Sequence, residues 1–228
     1  WEVIKASLSP DIWKELWGPI GETLYMAVVS SLIMLVFGLL IGILLTVTNP
    51  DGLVPLKASY TVSGWIINCL RSLPQMIMII LMIPVARLIF GKAYGTNACI
   101  IAIAASCIPM YARIVESSLL EIEKGKIEAA QAIGSNNLSI VFKILLPETL
   151  PSLIRGFTVS VISVLSMTAL AGMFGAGGIG DIAVRYGYQR FQHDRLFACV
   201  YILIILVQLI QGIGNLVSKQ ILKTRNLI

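Results

Sequence analysis

Five long apolar blocks alternate with shorter polar stretches along this chain. They run over about Gly21–Val47, Trp65–Phe90, Ala98–Leu120, Leu153–Phe174 and Leu196–Val217. A helix needs about twenty apolar residues to cross about 30 Å of hydrocarbon at about 1.5 Å per residue. Each block meets that length. The pattern predicts an all-α, polytopic membrane helical bundle with five transmembrane helices. Gly and Pro interrupt several blocks, which a bundle tolerates when neighbouring helices satisfy the freed backbone groups. In the first block Gly38 and Gly42 form a small-xxx-small pair, a spacing that lets two helices approach closely.

Residues 1–19 precede the first block and read as an interfacial segment, with 20–228 as the transmembrane domain. In SPDIWKELWGP, Ser9 can cap a short helix, Pro10 suits its first position, and Gly18-Pro19 would end it. Ile12, Trp13, Leu16 and Trp17 share one face, so the helix is expected at headgroup level with its tryptophans as anchors. Lys5, Asp11, Lys14 and Glu15 leave no clean apolar core for a cleavable signal peptide.

Composition agrees with the pattern. The 228 residues are 57% hydrophobic and only 13% charged, and the mean hydropathy is +0.88. Too few charges are present to cover a soluble domain of this size. The formal net charge of +5 is scattered between apolar blocks and not gathered into a stripe, which argues against nucleic acid as a partner and for contact with membrane lipid. Placing the C-terminus in the cytoplasm puts eight basic loop residues on that side and seven on the other, so charge alone does not orient the chain. Cys69, Cys99, Cys107 and Cys199 all lie in apolar runs and offer neither metal-ligand spacing nor a disulfide framework.

The polar loop 121–152 is the most informative stretch. Glu128-Ala129-Ala130-Gln131-Ala132 is a strong helix-forming string, and Gly134 offers a left-handed C-terminal cap. Asn136 or Asn137 can cap a second, amphipathic helix from Leu138 to Leu145, which Pro147 stops or kinks. Taken together, Glu128, Ala129, Ala130, Gly134, Ile144, Leu146 and Pro147 fall at the separations of the EAA signature. The loop therefore resembles that of permease subunits of type I ATP-binding-cassette importers. RSLP (Arg71 to Pro74), IPVARLIFG (Ile83 to Gly91), ARIVESSLLEI (Ala112 to Ile122) and GAGGIGDIAVRYGY (Gly175 to Tyr188) are similar to the methionine-uptake branch of that family.

The resemblance implies that the loop is a cytoplasmic coupling segment seated on an ATPase, with the N-terminus outside and the C-terminus cytoplasmic. It implies a homodimer working with two ATP-binding-cassette subunits and an extracytoplasmic substrate-binding protein in a bacterial plasma (inner) membrane. ATP and Mg belong to the ATPase, and this chain is expected to bind no cofactor of its own. No G-x-x-x-x-G-K-[ST] string occurs, so ATP hydrolysis by that route is not expected here.

Other candidate sites follow from residue type. Gly175-x-Gly177-x-x-Gly180 formally matches a dinucleotide fingerprint but follows an apolar block and no strand. It reads better as an outer loop with a short helix starting near Asp181. There Asp181, Arg185, Tyr186, Tyr188 and Arg190 would dock the binding protein, Phe191 adding a further aromatic. His193 in that loop has no second ligand nearby. Arg71 and Arg113 stand inside apolar blocks, where a charge must snorkel or pair. Glu116, one turn from Arg113, is expected to bridge the second and third helices. The fourth block carries Ser160, Ser163, Ser166 and Thr168 and no ionisable residue. In the family this helix lines the pathway, which makes Ser163, Met167 and Leu170 candidates. Another amino acid or small solute remains open as substrate. A secondary transporter would need inverted repeats or membrane-centred ion ligands, and an intramembrane enzyme a nucleophile with its base; neither pattern occurs.

Overall fold

The computed structural model describes residues 2–224, and every regular element within that range is a helix. Trp1, from the interfacial segment, and Arg225, from the charge count, lie outside the described residues. In chain order the helices are α1 (Glu2–Ser7), α2 (Pro10–Thr48), α3 (Lys57–Ser72), α4 (Gln75–Phe90), α5 (Thr96–Leu120) and α6 (Lys124–Ala132). They continue with α7 (Asn137–Gly172), α8 (Gly178–Ile182) and α9 (His193–Thr224). Four of them, α2, α5, α7 and α9, are long and apolar enough to cross a membrane. The pair α3 and α4 supplies a fifth candidate as a broken span.

Three departures from the expected elements have local causes. The second block is two helices because Pro74 has no N–H to donate and disfavours helical geometry at Leu73. The helix beginning at Pro10 does not end at Gly18-Pro19 but runs unbroken into the first span. Ile12 and Leu16 are buried with Ile179, Ala198, Cys199 and Ile202, and Trp13 packs against that cluster. Burying two such side chains contributes roughly 1.5–3 kcal/mol each, enough to offset the roughly 3 kcal/mol cost of an interior proline. The segment is thus a packed extension of the first span, with Trp17 left exposed. Pro147 likewise neither stops nor breaks α7. A π turn at Val141–Leu145 precedes it, and Leu146 N–H donates to Val141 O, five residues back. The widened turn accommodates a residue that lacks an N–H.

The chain divides into two compact units, each built from several segments. The first takes the chain up to Ile33, Leu73–Cys107 and Val161–Gln211. Within it, Glu22 Oε2 accepts from Gly178 N–H at 2.6 Å and Thr23 Oγ1 accepts from Ile179 N–H at 2.9 Å, tying α8 to α2. Gly95 N–H donates to Gly175 O at 2.9 Å.

The second unit comprises Met34–Ser72, Ile108–Ser160 and the chain from Gly212 onward. One close seam within it is the small-xxx-small pair. A Cβ on Gly38 would come within 2.8 Å of Tyr111 Cδ1, and one on Gly42 within 2.5 Å of Val115 Cβ and 2.7 Å of Ala112 O. Gly42→Ala is therefore expected to cost about 1–3 kcal/mol through overpacking against backbone. Gly212→Ala, with nothing within 4 Å, should cost nothing comparable. Thermal unfolding of the two variants in detergent measures the contrast.

Candidate functional site

The polar hairpin between α5 and α7 is built by local capping. Gly134 has φ +80°, and its N–H donates to Gln131 O at 2.9 Å. Ser135 N–H donates to Ala130 O at 3.0 Å, completing a Schellman closure of α6. Asn136 then caps α7, its Oδ1 accepting from Ser139 N–H at 2.7 Å. A Cβ at Gly134 would meet nothing within 4 Å, so conformation and not space demands glycine there.

The seven signature residues divide by exposure. Glu128, Ala129 and Gly134 are exposed, Ala130 is buried, and Ile144, Leu146 and Pro147 are half-buried. Ile140 and Leu145 anchor the hairpin, both almost fully enclosed. Three large apolar residues point outward instead: Ile133 is 84% exposed, Leu138 70% and Phe142 62%. Outside the spans, such a patch has the character of an interaction surface. The sequence did not single these three out, although two of them, Leu138 and Phe142, fall in the amphipathic stretch from Leu138 to Leu145.

Two lysines fasten the start of α6. Lys124 Nζ lies 3.4 Å from Asp51 Oδ2, and Lys126 Nζ pairs with Glu148 Oε1. Glu148 raises the Lys126 ammonium above its ordinary value of 10.5, first by hydrogen bonding and then by charge. A lysine whose pKa rises on folding contributes stability that is complete below the ordinary value and fades as pH climbs through the folded one. The thermal midpoint of Lys126→Met is therefore expected below that of the unsubstituted chain near neutrality, the gap closing only as pH passes 10.5. A groove of about 410 Å³ lies beside α6, with Asp51, Lys124, Ile127 and Glu128 among its walls.

Of the three charges expected to pair inside the spans, two meet. Arg113 Nη1 lies 2.6 Å from Glu116 Oε2, one turn away on α5. The link to α3 is made by Arg113 itself, whose Nη2 donates to Gly64 O and Asn68 Oδ1, both at 3.0 Å. Arg71 does not join them. It sits exposed in the last turn of α3, where free carbonyls and the helix dipole favour a cation.

On α7, Met167 is fully enclosed within the chain and so cannot meet a passing solute in this structure. Ser163 and Leu170 are half-exposed. The open stripe of this helix runs through Arg155, Val159 and Ser166, spaced as one helical face, with exposed Met173 just past its end.

In the loop between α7 and α9, α8 begins at Gly178, three residues before the expected Asp181, and a π turn Ala183–Tyr188 follows. Asp181 is buried and pairs with Arg185. Arg190, Arg195 and Arg185 lie 4.7, 4.9 and 6.0 Å from the Tyr186 ring centre. Tyr188 is exposed, as is Phe191, which holds φ +57°. Arg195, which also meets Glu15 at 2.9 Å, was not among the expected docking residues, and that ion-pair partner lies far away in sequence.

Comparison with known proteins follows the same lines. Residues 38–223 match the family described as binding-protein-dependent transport system inner membrane component. A probable D-methionine transport system permease protein of Vibrio cholerae is 37% identical over 200 residues, covering 88% of this chain and 89% of that protein. A methionine import system permease protein of Bacillus subtilis is 40% identical over 205 residues, covering 90% and 92%. A solved inward-facing conformation of the MetNI methionine ABC transporter contains a chain that superposes with TM-score 0.91 at 37% identity. The match covers 94% of this chain and 99% of that one.

Proposed function

This chain belongs to the family of binding-protein-dependent transport system inner membrane components, and from that premise we propose that it is the permease subunit of a bacterial ATP-driven methionine importer. It forms the pathway and is not the ATPase. The observation that carries the reading is the capped hairpin of α6 and α7. It presents Glu128, Ala129 and Gly134 to solvent beside the unpartnered apolar patch of Ile133, Leu138 and Phe142. That combination of rigid backbone and waiting apolar surface suits a helix that docks on an ATPase.

In the assembly proposed here, two copies of the chain line one pathway in the plasma membrane. Two ATPase subunits carrying ATP and Mg sit on the cytoplasmic side, and a binding protein docks outside. With five spans, the α3–α4 pair counting as one, and a cytoplasmic coupling loop, the N-terminus lies outside and the C-terminus in the cytoplasm. Residues 1–19 serve as an extension of the first span and 121–152 as the coupling loop. ATP draws the ATPases together, the hairpins follow, and the bundle opens outward; hydrolysis returns it to the inward-facing state. Asp181 and Arg185 brace the outer loop, while Tyr186, Tyr188 and Arg190 meet the binding protein. Ser163 and Leu170 border the pathway together with Ser166 and Met173, a set of weak dipoles and apolar groups that suits an uncharged side chain. Arg113 and Glu116 hold α3 to α5.

The test is reconstitution. The chain with its ATPase and binding protein in proteoliposomes should accumulate methionine only with ATP and all three components present. Uptake that persists without the ATPase would overturn the reading in favour of a secondary transporter.

A further inference from the structure

We propose that the Asp51–Lys124 ion pair is a strap that carries movement of α6 into the loop joining α2 and α3, with both residues positioning that loop for coupling. The inference rests on the coupling role proposed for α6 and adds a route to spans that the chain does not join to it.

Covalently, α6 hangs between α5 and α7. Three residues, Glu121, Ile122 and Glu123, lead into it, and the turn through Gly134 leads out. Movement of α6 is thereby passed to the third and fourth spans by chain continuity. Neither connection reaches the first two. Between α6 and the α2–α3 loop lies the groove of about 410 Å³, with Asn49, Asp51 and Leu53 on the loop side and Lys124, Ile127 and Glu128 on the helix side. Lys124 Nζ reaches across it to Asp51 Oδ2 at 3.4 Å.

The loop end of the strap is a stiff post. Asn49 Oδ1 accepts from Asp51 N–H at 3.0 Å, and Asn49 O accepts from Gly52 N–H at 2.8 Å. Val54 N–H donates to Val47 O at 3.0 Å and Leu56 N–H to Thr48 O at 3.2 Å. The carboxylate is thus presented on an ordered turn, and little chain entropy is spent in holding it. The helix end is equally defined. Lys124 and Lys126 flank Gly125 and diverge, one to the α2–α3 loop and the other to Glu148 at the start of the fourth span.

Both partners are largely exposed, at 73% and 75%. An exposed pair adds little to folding stability and is screened by salt. Its removal should therefore leave the fold intact and change what the fold transmits.

The experiment uses the whole reconstituted complex and reads methionine transported per ATP hydrolysed, with assembly scored by co-purification of the ATPase. Asp51→Lys and Lys124→Asp each place like charges face to face, and each is expected to lower that ratio about threefold to tenfold. The double exchange, Asp51→Lys with Lys124→Asp, should restore it, since opposite charges again face each other. Asp51→Asn and Lys124→Gln provide neutral variants, expected to lower the ratio by about twofold. Unchanged ratios in the charge reversals, or a double exchange no better than the singles, would sink the strap. Gly134→Val runs alongside. If it abolishes coupling while the strap variants behave normally, only the strap fails; if it too is normal, the coupling role of α6 fails with it.

Discussion

Gly134→Val is expected to leave the chain folded and inserted while abolishing stimulation of the ATPase by methionine-loaded binding protein. Gly134 holds φ +80°, a conformation that costs an ordinary L-residue about 1–2 kcal/mol and a β-branched one more. Nothing within 4 Å would collide with the new side chain, so the penalty falls on the Schellman closure and not on the bundle. The two hydrogen bonds from Gly134 N–H and Ser135 N–H open, the last turn of α6 loosens, and Ile133 and Leu138 lose their relative placement. An interface between two proteins tolerates such looseness poorly, because the ordering it then requires must be taken from binding energy. Gly134→Asn, which adopts the left-handed region more readily, should retain most of the stimulation. Equal behaviour of the Val and Asn variants in a coupled ATPase assay would contradict this account.

Glu116→Leu has the largest expected effect on the fold itself. Removing one partner of a buried ion pair leaves the other charge uncompensated, at a cost of about 3–5 kcal/mol. Glu116 is 5% exposed at its side chain and Arg113 19%. Arg113 Nη2 would keep its bonds to Gly64 O and Asn68 Oδ1, but Nη1 would lose its carboxylate, and its Nε already lacks a partner. The double variant Arg113→Met with Glu116→Leu removes both charges and should recover much of the loss, since well-packed apolar replacements of buried pairs are often neutral. Thermal unfolding of the singles and the double in detergent closes the cycle. A double variant as unstable as Glu116→Leu alone would show that packing, and not charge, sets the value of this site.

What the sequence revealed and what it concealed follow one physical division. The spans were legible because the bilayer imposes length and apolarity on each segment separately. The capped hairpin of α6 and α7 was legible for a similar reason: Gly134 and Asn136 act on backbone within a few residues of themselves. Features that depend on distant partners were not. Gly18-Pro19 has the chemistry of a helix stop, yet Ile12 and Leu16 are held by Ile179 and Ile202 from the far end of the chain. The Arg195–Glu15 pair is invisible for the same reason. Met167 and Ser166 are equally apt pathway residues by type; only helix rotation separates an enclosed side chain from an exposed one. Pro74 was a different kind of miss, a local signal overridden in reading by the apolar run around it.

The π turn at Val141–Leu145 sets that rotation. A π turn holds one residue more than the α-helical turn it replaces, and each residue of an α-helix turns the chain by roughly 100°. The azimuth of everything from Leu146 to Gly172 is therefore decided at that turn, where Phe142 and Lys143 are both exposed. Losing a single residue there would re-aim the helix and bring a different stripe of side chains into the open. In this protein, which face of α7 lies open is a matter of indexing, held in one wide turn.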